Sequence, residues 1–94
     1  MMEYLKNHIL DEIDDALNYM EKAVEYKGTQ YGCTFRMMSE AEAEHANTLT
    51  KIFNTMEKPD DLPAASYADM NKEILNKYST SMGKLEAMKK LYWS

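Results

Sequence analysis

Apolar residues recur at intervals of three and four along almost the whole chain, and the breaks in that rhythm divide it into three segments. The first predicts a helix over about 3–27, stopped at Gly28. The second predicts a helix over about 30–57, stopped by Lys58-Pro59-Asp60-Asp61, and the third a helix over about 64–92, after Pro63. On the first, Met2, Leu5, Ile9, Glu12, Ala16, Tyr19, Ala23 and Tyr26 form one stripe. On the second, Tyr31, Phe35, Met38, Glu42, His45, Leu49, Ile52 and Met56 do the same, giving a seam suited to packing against another helix. The third carries Tyr67, Met70, Ile74, Tyr78, Leu85, Met88 and Tyr92, with Ser66 and Asp69 placed as a capping pair near its start. Its stripe of Met and Tyr reads as an assembly surface. The connection at Gly28 leaves room only for a tight turn, so the first two segments form a hairpin. The fold class is therefore all-α, an antiparallel helical hairpin plus a C-terminal helix, in a single domain over 1–94.

Composition sharpens this. Only 3 Gly and 2 Pro interrupt a chain rich in helix-favouring residues, which excludes sheet as the main element. A chain of 94 residues buries a core that stabilises it only marginally, so a metal ion or self-association is expected to contribute. The net charge of −5 argues against a nucleic-acid partner and suits attraction of cations. One cysteine, Cys33, permits no internal disulfide, and no apolar run approaches the ~20 residues that span a bilayer. Those features lead us to expect a cytoplasmic protein with no membrane partner.

The candidate chemistry lies where the stripes turn polar. Glu12 is the one charge on the first stripe, and Glu42 and His45 are the polar members of the second. A carboxylate set in an apolar seam costs several kcal/mol to bury unless something pairs with it, and a metal cation is the natural partner. Glu12 precedes Gly28 by 16 residues, whereas Glu42 and His45 follow it by 14 and 17. At a rise of 1.5 Å per residue the three stand about 24, 21 and 26 Å from the turn, so they share one level of the hairpin. The i, i+3 spacing of Glu42 and His45 points both side chains the same way. Carboxylates that bridge and neutralise two cations, completed by imidazole, are the donor set of two-metal helical bundles: one Glu from each of two helices and Glu-x-x-His from each of two others. The hairpin supplies one of each. The third segment has no histidine, so the remaining donors fall to a second copy in a two-fold homodimer, which would complete a four-helix bundle.

Glu12, Tyr19 seven residues later, and the string Glu42-Ala43-Glu44-His45-Ala46 resemble the ferritin-like superfamily, most closely the encapsulated ferritins, over about residues 5–56. The resemblance implies an iron-oxidising di-iron centre formed between two subunits, serving iron storage or detoxification. It implies Glu12 as a terminal ligand, Glu42 as the bridging ligand, His45 as the nitrogen ligand and Tyr19 as a nearby phenol. Asp11 and Asp14 then fall where acidic residues guide iron inward, with Asp where that family more often has Glu. It further implies dimers assembled into a larger even-numbered oligomer, a ring-shaped decamer, inside an encapsulin shell or nanocompartment. The targeting tail that goes with such a shell is not evident after Leu91-Tyr92-Trp93-Ser94.

Plainer readings stand beside these. Tyr19 also reads as a core aromatic, and Asp11, Asp14 and Asp15 as a solvated helix face. His8, one turn before Glu12, reads as a partly exposed histidine, with an extra-ligand role as its alternative. The donors suit manganese, zinc or calcium as well as iron, so a non-enzymatic helical assembly protein with a structural ion is the second reading. A peroxide-reducing relative of rubrerythrin comes third, because no Cys-x-x-Cys pair is present to hold an electron-transferring iron.

Overall fold

Stripes at helical spacing have to be stacked to leave water, and the computed structural model, which describes Met1–Ser94, does so with three helices and no strand: α1 (Met2–Glu25), α2 (Gln30–Thr55) and α3 (Ala64–Trp93). α1 and α2 form the expected hairpin. α1 ends two residues earlier than the periodicity suggests, because Tyr26 leaves the helix and Gly28 takes φ +85°, a left-handed conformation that side chains oppose. Thr29 then starts α2: its Oγ1 accepts a hydrogen bond from the Gly32 amide at 3.2 Å and donates one to the Tyr26 carbonyl at 2.7 Å. α3 lies against α1 and returns to this turn, where Lys27 Nζ donates to the Leu91 carbonyl at 3.0 Å. It is therefore parallel to α1 and antiparallel to α2.

The core differs in one instructive way from the stripes. Met2, Leu5, Ile9, Ala16 and Ala23 are buried as expected, but they are joined by Ile13 and Met20, which turn the interior side of α1 toward α3. The fully buried residues of α2 are Gly32, Ser39, Ala46 and Phe53, whereas of the Tyr31–Met56 seam Phe35, Leu49 and Met56 pack against the core only in part. Small residues explain the choice. Ser39 is buried with its Oγ donating to the Ala16 carbonyl at 2.6 Å, and a Cβ built on Gly32 would stand 2.4 Å from the Tyr26 carbonyl oxygen. Close approach of the two backbones thus places Gly32, Ser39 and Ala46 between them, while Phe53 fills the main core with Leu5, Ile9 and Ile74. Gly32→Ala is expected to destabilise the hairpin by about 1–3 kcal/mol, as overpacking does, seen as a lowered midpoint in thermal unfolding followed by circular dichroism.

The expected Ser66–Asp69 cap does not form. α3 begins at Ala64, with the Tyr67 amide donating to the Pro63 carbonyl at 3.2 Å, so Ser66 already lies within the first turn. Pro63 needs no amide partner at that end, and its fixed φ starts the helix without a side-chain cap. Between α1 and α3, Lys6 is buried and paired with Glu73 Oε2 at 2.9 Å and with Glu3 Oε1 at 3.0 Å. The hydrogen bond from Glu73, then that from Glu3, raises its pKa above the ordinary 10.5. A raised lysine stabilises the fold fully below 10.5 and loses that contribution as pH climbs through the raised value. Glu73→Gln is accordingly expected to lower the thermal midpoint at neutral pH and to leave less stability to be lost in alkali. No helix is long and apolar enough to cross a membrane.

Candidate metal centre

Beside the buried face of α2, the two helices leave an open side that carries large residues buried only in part or not at all. Phe35, Leu49 and Met56 are half-buried there, while Tyr31, Met38 and Ile52 are exposed. The polar members of both stripes meet midway along this side. Glu12, Glu42 and His45 each offer a donor atom, and those atoms all lie within 4.8 Å of one another. The register counted from Gly28 is thus realised in three dimensions.

The distances within the group are longer than hydrogen bonds. His45 Nδ1 stands 3.6 Å from Glu12 Oε2 and 3.7 Å from Glu42 Oε1, too far for hydrogen bonds. Two donors each about 2.1 Å from one ion stand roughly 3.0–3.6 Å apart, so the His45–Glu12 and His45–Glu42 spacings each suit a shared metal with little movement. Glu12 supplies the sharper test. Its side chain is only 14% exposed, and its Oε2 atom is buried with no hydrogen-bond partner. Leaving a buried acceptor unpaired costs about 1–3 kcal/mol, and more when it is charged. A cation between Oε2 and the imidazole removes that cost. The donor chemistry, two hard oxygens and one borderline nitrogen, fits iron, manganese or zinc.

Glu12 Oε1 is held differently, accepting a hydrogen bond from His8 Nε2 at 2.9 Å. His8, Glu12, His45, Thr48 and Leu49 line an open groove of about 240 Å³. The i, i+4 spacing of His8 and Glu12 is the signal in the sequence for this pair.

Three donors of one chain do not fill the coordination of even one ion, which takes at least four. α3 adds no donor to the group. Tyr19 lies on the open side, half-buried, its ring stacked 6.3 Å from that of Phe35, which stacks in turn on Tyr26 at 6.2 Å. Asp11 is exposed, and Asp14 points toward α3, where Lys77 Nζ pairs with it. Neither aspartate joins the three-residue group.

A family model described as Rubrerythrin matches residues 3–93. No curated protein and no solved structure matches the chain.

Proposed function

The chain belongs to the rubrerythrin family, within the ferritin-like superfamily, and on that premise we propose that two copies pair through the open side of α1 and α2 to build a di-iron centre that oxidises Fe(II). The observation that carries the reading is the Glu12–Glu42–His45 group with its orphaned Glu12 oxygen, a half-set of donors on the one side of the hairpin that large apolar residues leave uncovered. A two-fold axis through that side doubles the half-set into the donor set of a carboxylate-bridged pair of ions and buries Met38 and Ile52 in the same step.

In this reading Fe(II) is the substrate. Glu12 and His45 hold one ion within each subunit, and Glu42, near the axis, spans to the ion of the partner subunit. The four carboxylates keep the ferrous pair near neutrality, which favours uptake and then the higher charge of the ferric product. Each ion gives up one electron; dioxygen with two protons leaves as hydrogen peroxide, or hydrogen peroxide with two protons leaves as water. Tyr19 sits along the same side as a phenol near the centre, and Asp11 serves as an approach point for incoming cations. Encapsulated ferritins suit a half-site of this kind best among ferritin-like proteins, so a ring of such pairs, storing iron within a shell, extends the proposal.

The test is oxygen consumption by the full chain after anaerobic loading with Fe(II). A burst consuming one dioxygen per two Fe(II) supports the ferroxidase, and peroxide in place of dioxygen reports the second oxidant. Metal that binds and raises the thermal midpoint with no oxidant consumed would place the site with structural ions instead.

A further inference from the structure

We propose that His8 is a positioning residue that fixes how Glu12 presents itself to metal, an inference that rests on the two-subunit centre above. The two oxygens of Glu12 have different surroundings. Oε1 accepts from His8 Nε2 at 2.9 Å, whereas Oε2 is buried, lacks a partner and faces His45 Nδ1 at 3.6 Å. One oxygen is therefore tied to the protein and the other is offered to the site.

A carboxylate held in this way ligates through a single oxygen. Its second oxygen, turned toward an N–H that engages one of its lone pairs, is disfavoured from closing a four-membered chelate on the same ion. The coordination position so spared stays available to the bridging carboxylate or to the oxidant. The hydrogen bond also holds the side chain in one rotamer before metal arrives, and groups that orient ligating carboxylates in this manner act strongly on affinity.

His8 itself is constrained. Its i, i+4 relation to Glu12 makes the contact a property of α1 alone, present in each subunit before pairing. Tyr4, one turn earlier, sets its ring 5.7 Å from the imidazole at 42° and flanks it on the side away from Glu12. Because a carboxylate can only accept, Nε2 carries the proton, and it is this protonated nitrogen, not a free lone pair, that faces the site. That identifies His8 as an orienting group and not as a fourth ligand. The full line on α1 is Tyr4, His8, Glu12: an aromatic wall, a donor and a ligand at successive turns.

Co(II) is the probe, since its visible spectrum reports coordination number as well as occupancy. The full chain, His8→Phe and His8→Gln are titrated with Co(II), with circular dichroism of the metal-free proteins as the check on folding. His8→Phe keeps a ring against Tyr4 but removes the donor, and it is expected to weaken Co(II) binding about 10–100-fold. Its visible band should also lose intensity, as Glu12 turns to bind through both oxygens and raises the coordination number. His8→Gln places an amide N–H near the position of Nε2 and is expected to stay within about threefold of wild type, with the wild-type spectrum. His8→Phe with unchanged affinity and spectrum would overturn the role. So would His8→Gln as impaired as His8→Phe, which would make His8 a direct ligand. A wild-type chain that takes up no Co(II) overturns the centre itself, and this role with it.

Discussion

Glu42→Ala is expected to lower Fe(II) oxidation by more than about 100-fold, because groups that merely orient metal ligands already cost 10–100-fold when removed and Glu42 is placed to ligate directly. In the proposed two-fold pair the effect would be larger than a single substitution suggests, because one change in the gene would remove both bridging carboxylates. Glu42 is half-buried at the edge of the open side and is not among the fully buried residues of α2, so the metal-free variant should fold as wild type does. Removing a carboxylate close to Glu12 also relieves like-charge repulsion in the metal-free chain. Loss of oxidation with an unchanged helical spectrum and thermal midpoint is therefore the expected combination. His45→Ala should behave alike, since the imidazole is the only nitrogen donor in the group and its side chain is 60% exposed in the lone subunit. Oxidation at wild-type rate in either variant would remove that residue from the centre.

The second large effect concerns pairing. Met38 lies one turn before Glu42 on the open side and is 39% exposed in the single chain. Met38→Asp should cost the isolated subunit little, yet in the pair it would bury two unpaired carboxylates close to the symmetry axis. Each costs several kcal/mol without a partner, so the dissociation constant is expected to rise more than about a thousandfold. Sedimentation velocity should show the pair replaced by single chains. Metal affinity should fall with it although Glu12, Glu42 and His45 are all retained, which separates loss of assembly from loss of a ligand. A variant that remains paired and binds iron normally would mean that the subunits meet on another surface.

How much of this was readable in the chain can be judged residue by residue. Gly28 and Pro63 marked the helix boundaries to within two residues, because a positive φ and a missing amide are local requirements that few other residues meet. The level shared by Glu12, Glu42 and His45 followed from counting outward from Gly28, since the rise of a helix does not depend on what it packs against. The division of the apolar residues between two surfaces did not follow. Periodicity groups residues on one side of a helix but says nothing of what covers that side, so the Tyr31–Met56 seam read as one packing surface, whereas Gly32, Ser39, Ala46 and Phe53 are the fully buried residues and Phe35, Leu49 and Met56 pack only in part. Ser39 in particular carries no hydrophobic signal; its burial depends on the Ala16 carbonyl that accepts its proton. The roles of Asp11 and Asp14 differed for a similar reason. Two carboxylates three residues apart look equivalent in sequence, but Lys77, brought in by α3 from far along the chain, engages only Asp14.

The central claim, that the metal centre belongs to two chains, is tested most directly by native mass spectrometry of the full chain, metal-free and after anaerobic addition of Fe(II). The account predicts even-numbered assemblies that take up two irons for each pair of subunits, with no iron retained by any single chain. Single chains that hold iron stoichiometrically, or paired chains whose mass is indifferent to it, would contradict the account.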